Sequence, residues 1–379
     1  MLTIYHFLLD HRIGGPHVYV DMLREALAGQ SSAVVLTSGK GPLTELALFN
    51  LRHWWAPLYL FEVVANVVLI ISLVWRKKIR TEDAIFHVHG GGNVAPLIAA
   101  RLLGVPVLWQ LHETTTAFRK LVLIGMRLLR GTKHQVATVA SKAISVYGIR
   151  NAVLLPGAVD LDFWRRAQIS QAQLNAAAWH VSPSALNDGR ILRVLTVGNL
   201  NPLKGQDLLL KAMQAYGAPF HLKIVGAELA THSGYANQLR QLALEAERAG
   251  ADRRVEFMGW RDKEEVRALM ASSDIFVMPS RSEACPLVLL EALAMGCACI
   301  ASDVGDVQAM MAVADQARVV EAESIDALRE ALIELSTATS ALASTSAREG
   351  EQVPPQWQLT RLAAESARIY RELAQDHGH

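Results

Sequence analysis

The chain is expected to be an α/β protein built on two doubly wound parallel sheets, and three observations lead there. Short β-type apolar runs alternate with helix-period segments, the pattern of parallel sheets covered on both faces. The alternation comes in two sets, separated by the polar and irregular stretch DLDFWRRAQISQAQLNAAAWHVSPSALNDGR. A length of 379 residues exceeds what one ordinary core holds, so two domains are expected. The spacing predicts a first domain over 1–165, a linker region over 166–189 and a second domain over 190–356.

In chain order, the first set predicts strands near 3–8, 33–36, 84–88, 105–111, 135–139 and 152–155, with helices at 16–27 and 94–103. The second set predicts strands at 192–197, 221–225, 254–257, 275–278 and 299–302, with helices at 206–213, 237–249, 263–271 and 286–295. The low-complexity run STATSALASTSAREGEQVPP reads as a surface loop, and a last helix follows at 358–374.

Composition narrows the function. Hydrophobic residues make up 51% and charged ones 19%, which fits a compact globular chain. The net charge is +1, so no basic field marks a nucleic-acid partner. Cys285, Cys297 and Cys299 are odd in number and lack a CxxC or a His/Cys cluster. They read as buried, reduced thiols of a cytosolic chain rather than a metal centre. The opening MLTIYHFLLDHR lacks the basic front and small-residue cleavage site of a signal peptide and reads as a first strand entering a loop.

In doubly wound sheets ligands bind beyond the carboxyl ends of strands, so three strand-end loops matter most. In DHRIGGPHVYV, Gly14 and Gly15 precede a helix; they suit an anion held by backbone N–H groups, and equally a plain tight turn. No G-x-G-x-x-G follows a strand, which counts against a nicotinamide or flavin enzyme. In VGNLNPLKGQDLLL, Lys204 opens a helix beyond a strand. It suits a phosphate bound at the helix end, or simple solvation. In SRSEACPLVLLEALAMG, Glu283 precedes an all-round apolar helix that has Glu291 in its middle, with seven residues between them. A buried carboxylate needs donors: either the vicinal hydroxyls of a ribose or an arginine elsewhere.

PSRSEACPLVLLEALAMGCACIASDVG resembles the E-x7-E region of retaining GT-B glycosyltransferases of family 4. IGGPHVYVDML, WQLHE, LLPGAVDLDFW, VGNLNPLKG, LKIVGAE and VEFMGWRDKEEVRALMASSDIFVMPS follow the family's order over most of the chain. The resemblance implies two Rossmann-like domains facing across a cleft, with the helix at 357–379 crossing back to the first domain. It implies a nucleotide-diphospho-sugar donor, with a UDP- or GDP-sugar held by the second domain. Glu291 would bind ribose hydroxyls and Glu283 would contact the sugar near its reacting carbon. Lys204 would neutralise the diphosphate with backbone N–H groups near Gly14, Gly15 and Cys285, Pro286 and Leu287. His112 would lie by the transferred sugar or the incoming hydroxyl. Retention of anomeric configuration is likewise implied.

Departure of the diphosphate builds negative charge that fixed donors stabilise. With no DxD-type pair in a plausible position, Lys204 and helix ends are expected to act without a metal or other cofactor. Where the family has an arginine, this chain has Asn199, which keeps its place among the expected donor-binding residues; the phosphate contact is then either missing or supplied by Arg281 or Arg261. Ala284-Cys285 and the run GDVQ also depart from the family pattern, which bears on sugar specificity.

Two segments bear on the acceptor. HWWAPLYLFEVVANVVLIISLVWRKKIR is long and apolar enough to span a bilayer, with Trp54 and Trp55 at one end. Flanking strands of one sheet argue against spanning. A helix in the membrane plane and one packed within the domain both fit. In FRKLVLIGMRLLRGTK, basic Arg119, Lys120, Arg127, Arg130 and Lys133 oppose an apolar side, as in helices that adsorb to anionic membranes. The expected activity is therefore hexosyl transfer to a lipid-linked or membrane-associated saccharide in bacterial polysaccharide or glycolipid assembly. It would take place peripherally on the inner face of the plasma membrane. A nucleotide-sugar 2-epimerase and a catalytically silent membrane-docking partner are the alternatives.

Overall fold

The structure, a computed structural model, describes residues 2–9, 15–38, 46–48, 59–76, 81–179, 191–341 and 352–375. It divides into unit 1, Met1–Ala158 with Leu359–His379, and unit 2, Val159–Gln358.

Unit 1 is built on strands β1 (Thr3–Leu8), β2 (Ser32–Ser38), β3 (Leu46–Leu48), β4 (Ala84–His89), β5 (Val107–Leu111), β6 (His134–Thr138) and β7 (Val153–Leu154). They lie in the order β3-β2-β1-β4-β5-β6-β7, every pair parallel. The sheet is buried on both faces. Alternate residues Phe7, Phe86 and Trp109 face helices α2 (Tyr59–Arg76), α3 (Ala95–Leu103) and α4 (Arg119–Leu128). Ile4, Leu8 and Ile85 face α1 (Gly15–Ala26) and α13 (Leu359–Gln375). Helix α5 (Ser141–Tyr147) follows β6. At Gly125 in α4, an added Cβ would run into the Trp109 ring, so only glycine lets that helix lie so close.

Unit 2 carries β8 (Leu192–Val197), β9 (Phe220–Val225), β10 (Arg253–Gly259), β11 (Ile275–Met278), β12 (Ala298–Ser302) and β13 (Ala317–Val320). Their order is β10-β9-β8-β11-β12-β13, again all parallel. One face packs on α7 (Gln206–Ala215), α8 (Ser233–Arg248) and α12 (Ile325–Ala341). The other packs on α9 (Lys263–Ser272), α10 (Leu287–Ala294) and α11 (Val307–Met311).

Three expectations shift. The unit boundary falls after Ala158, and much of the stretch expected as linker is fastened to unit 2. Helix α6 (Gln171–Ala176) packs on α9, and Trp164 and Trp179 are buried. Lys223 Nζ donates to the Ala177 and Ala178 carbonyls at 3.2 and 2.9 Å, and Arg267 donates to Phe163 O at 2.7 Å. Two large aromatics and satisfied carbonyls thus dock a segment whose sequence looks polar. The run expected as a loop from residue 336 instead continues α12 to Ala341. β3, β13 and the helices α5, α6, α11 and α12 were not expected; each is short, or mixes alanine and polar residues that blur its period.

Candidate active site

In unit 2 the chain crosses over in opposite directions from β8 and from β11, which are neighbours; such a switch point opens a crevice beyond the strand ends. The loop after β8 makes a short turn over Pro202–Lys204, where the Asn201 side chain accepts from Leu203 N at 2.9 Å. It enters α7 through Gly205 at φ +65, beside Pro279 O with no room for a Cβ. Arg281 N donates to Leu203 O at 2.8 Å, stitching this loop to the one after β11. The result brings two predicted residues together: Lys204 Nζ lies 2.6 Å from Glu283 Oε1, which also accepts from Ser280 Oγ at 2.8 Å. Gly305, at φ +59, lets the loop after β12 close on the Glu283 and Ala284 carbonyls.

Helix α10 begins at Leu287 with Pro286 as its N-cap and no side-chain cap, so its first N–H groups lack intrahelical partners. Cys285 is half-buried just before it. Glu291 sits mid-helix, half-buried, and no hydrogen bond or ion pair to its carboxylate occurs among the described residues. Burial pushes its carboxyl up to about 7, against the pull of Lys263. The arginine partner considered from the sequence is absent among the described residues, and an acceptor pair is left for hydroxyl donors.

The residues expected to replace the family's arginine are placed otherwise. Arg281 grips Asp207 with both terminal nitrogens, at 2.8 and 2.7 Å, and donates to Pro202 O at 2.7 Å. That guanidinium and the Tyr235 hydroxyl hold the Asp207 carboxyl below its usual range against the opposing effect of burial. Arg281 is therefore committed to the loop's own framework rather than to a phosphate. Arg261 lies near Glu265, at 3.6 Å, and donates to Trp260 O. Asn199 accepts from Ala227 N at 3.1 Å, joining the ends of β8 and β9. Cys297 and Cys299 are buried, and burial raises the Cys299 thiol well above its usual value.

In unit 1 His112 follows β5 directly. Its Nε2 lies 2.9 Å from His89 Nδ1, and His89 Nε2 lies 3.1 Å from His6 Nδ1. Burial lowers His112 to about 3, so the ring is neutral at physiological pH. His6, His87 and His89 were missed by the sequence reading, although alternation in FHVHG places His87 and His89 on one face. Glu113, next to His112, was missed too: its carboxylate accepts from Gly91 N at 3.1 Å, and burial raises its pKa. Gly15 is the exposed first residue of α1, while Gly14 lies outside the described residues.

The membrane-contact expectations divide. Trp54 and Trp55 lie outside the described residues. On α4, Arg119, Lys120 and Arg127 are exposed, as is Arg130 just beyond it, whereas Lys133 is half-buried and donates to Glu372 O at 2.6 Å. The apolar side of α4 turns inward: Leu121, Val122 and Leu129 are in the core, with Leu123 and Ile124 exposed. The helix is amphipathic chiefly because it covers a sheet. α2 is the reverse: Asn66 is buried with Val63, Val67, Ile70 and Val74, while Leu60, Phe61, Val64, Val68 and Trp75 are exposed. Among the described residues α2 alone is long and apolar enough to cross a membrane.

Comparison with known proteins adds a family match over part of the chain. Residues 182–349 match the model of the family described as glycosyl transferases group 1. The chain is 29% identical over 226 residues to a GDP-mannose-dependent alpha-(1-6)-phosphatidylinositol monomannoside mannosyltransferase of Mycobacterium tuberculosis, covering 57% of this chain and 55% of that one. The match thus spans about half the length of that relative. It is 29% identical to a D-inositol 3-phosphate glycosyltransferase of Rhodococcus erythropolis, over 76% of this chain and 68% of the relative. Among solved structures, HepE of Anabaena in complex with UDP and glucose superposes with a TM-score of 0.78 at 15% identity, covering 98% of this chain and 100% of that one. Together with the two parallel sheets, these likenesses show a GT-B fold.

Proposed function

We propose that this chain, whose residues 182–349 match the model of the glycosyl transferases group 1 family, moves a hexose from a nucleotide-diphospho-sugar to a lipid-linked or membrane-associated saccharide. The transfer retains anomeric configuration and serves bacterial polysaccharide or glycolipid assembly. The observation that carries this reading is the unit 2 switch point, where Lys204 and Glu283 meet at 2.6 Å and Glu291 stands without a side-chain partner among the described residues. Glu291 takes the ribose hydroxyls. The diphosphate draws the Lys204 ammonium from Glu283 and lies against the opening N–H groups of α10 near Cys285, Pro286 and Leu287. Glu283 is then left to face the sugar.

Breaking the bond between the anomeric carbon and the phosphate oxygen places its electrons on the leaving diphosphate. A fixed cation and aligned N–H groups stabilise that charge without reorganising. In this proposal no metal or other cofactor is needed. Gly14 and Gly15 are assigned N–H contacts to an anion, and His112 contacts a substrate hydroxyl. Asn199 shapes the loop around Lys204 rather than touching phosphate.

For the acceptor side, the proposal places the protein on the inner face of the plasma membrane. Exposed Arg119, Lys120, Arg127 and Arg130 meet anionic headgroups, and the outer face of α2, preceded in the chain by Trp54 and Trp55, supplies apolar contact. The basic and apolar parts belong to helices that cover one face of the same sheet.

The test uses GDP-mannose, the donor in the mycobacterial relative's name, beside UDP-hexoses, with phosphatidylinositol- and polyprenyl-linked saccharides as acceptors. The expected outcome is transfer that persists in EDTA and gives a product of the donor's anomeric configuration. A protein that binds vesicles but neither hydrolyses nor transfers any donor would be a silent docking partner. Epimerised sugar without transfer would make it an epimerase.

A further inference from the structure

His6 lies in register with His87 across the β1–β4 pair, and His87 and His89 share a face of β4. The four histidines pack ring on ring: His87 and His89 have centroids 4.1 Å apart, His6 and His89 5.4 Å, His89 and His112 5.2 Å. Within this stack runs a single file of nitrogens. His6 Nδ1 meets His89 Nε2 at 3.1 Å, and His89 Nδ1 meets His112 Nε2 at 2.9 Å. His87 stands outside the file: Gln110 Nε2 donates to Leu155 O, so Gln110 Oε1 accepts from His87 Nε2 at 2.9 Å, and His87 Nδ1 accepts from the Tyr370 hydroxyl at 2.7 Å.

We propose that His89 and His6 are positioning residues that lock His112 in its Nε2–H tautomer, so that Nδ1 presents a lone pair and accepts a hydrogen bond from a substrate hydroxyl. The substrate contact rests on the role given to His112 under Proposed function. Each neutral imidazole carries one N–H, and each nitrogen–nitrogen contact holds one proton. If His112 donates from Nε2, then His89 accepts at Nδ1 and must donate from Nε2, and His6 accepts at Nδ1. The whole file is then Nε2–H. The opposite order makes every ring Nδ1–H. A mixed order puts two protons or none in a contact and leaves a buried hydrogen bond unmade, which is unfavourable.

Charge does not offer a way out. Burial takes His6 and His112 to about 3 and His89 well below its usual value, and the neighbouring Arg24, His17 and His87 oppose a further positive charge. Two orders remain, and the Nε2–H form is the one neutral histidine side chains favour. The file applies that preference at three rings at once. Among the described residues the Nδ1 of His112 makes no hydrogen bond. His6, His87 and His89 could bring three ligand atoms within 4.8 Å of one another, but His87 already uses both nitrogens, which favours hydrogen bonds over a metal.

The test combines nitrogen NMR of histidine-labelled protein without substrate with two substitutions. An asparagine amide reaches the position of a histidine Nδ1, a glutamine amide that of Nε2. His89→Asn therefore keeps a partner for His112, and His89→Gln keeps only the contact to His6. Thermal melting confirms that both fold. The expected spectrum shows His112 as a fixed Nε2–H tautomer, preserved in His89→Asn and averaged in His89→Gln. Turnover is expected to fall by roughly tenfold in His89→Gln, the scale of one lost hydrogen bond, with donor KM nearly unchanged, and to be largely rescued in His89→Asn. An Nδ1–H or mixed tautomer in the native protein overturns the proposal, as do identical spectra for the two variants. One tightly bound zinc per chain that shifts all three rings overturns it as well. Full turnover in His112→Ala would instead remove His112 from the proposed reaction; the tautomer, read without substrate, is decided separately.

Discussion

Lys204 Nζ and Glu283 Oε1 neutralise one another at 2.6 Å, and the two proposed roles compete for that contact. A diphosphate must win the ammonium from the carboxylate. Glu283→Gln is therefore expected to bind a nucleoside diphosphate as tightly as the native chain or tighter, while turnover drops by at least tenfold. Lys204→Met should weaken the same ligand by on the order of 1.5–3 kcal/mol, the range for a charged hydrogen bond. Titration calorimetry and steady-state rates check both. Equal loss of binding in the two variants would remove the competition.

Glu291 gives a pH signature. Its folded value near 7 lies above the ordinary 4.5, so between those values the native state holds a proton that the unfolded chain has released. Stability contributed this way is lost as pH rises from about 4.5 to 7, and Glu291→Gln should flatten that part of the denaturation profile. Ribose binding needs the carboxylate, so nucleotide affinity should rise through pH 7 with release of a proton, measurable by calorimetry in buffers of different ionisation heat. The same affinity profile in Glu291→Gln would count against the assignment. Glu291 stood out in the sequence as a lone charge in an apolar run, whereas Glu283 and Lys204 were singled out by their place in strand-end loops. The roles of Arg281, Asn199 and the histidine file were not legible, because each is defined by partners distant in sequence.

At the scale of elements, α4 shows what periodicity can and cannot tell. Its basic and apolar sides were visible in the sequence, but the same pattern serves a helix lying on lipid and one lying on a sheet. Trp109 and Gly125 place its apolar side on the sheet, since the helix is drawn against the ring, while its basic residues stay exposed. Gly125→Ala is expected to cost about 1–3 kcal/mol through overpacking, seen as a lower melting temperature. α2 had two admissible readings; its inner side packs on the sheet and its outer side stays apolar. Replacing exposed Phe61, Val64 and Val68 by serine should change stability by no more than about 0.5 kcal/mol each while reducing flotation with anionic vesicles. Unchanged flotation would remove α2 from the proposed docking surface.

At the scale of the molecule, the alternation of strands and helices made two parallel sheets readable, because both faces of such sheets must be apolar. The division between them was less readable: Trp164 and Trp179 tie a polar-looking stretch to unit 2, and no local pattern announces that. A nucleoside diphosphate should raise hydrogen-exchange protection first in the loops after β8 and β11. Protection confined to unit 1 would move the donor site there.

Unit 1 is assembled from both ends of the chain, with Ile369, Tyr370 and Leu373 of α13 covering the side of the sheet that holds Ile4 and Ile85. A ribosome working at about 5–20 residues per second must decode all of Val159–Gln358 before that cover exists. For roughly ten to forty seconds the nascent amino-terminal half has only α1 over that flank, and the greasy part left open makes it a natural client for a chaperone during translation.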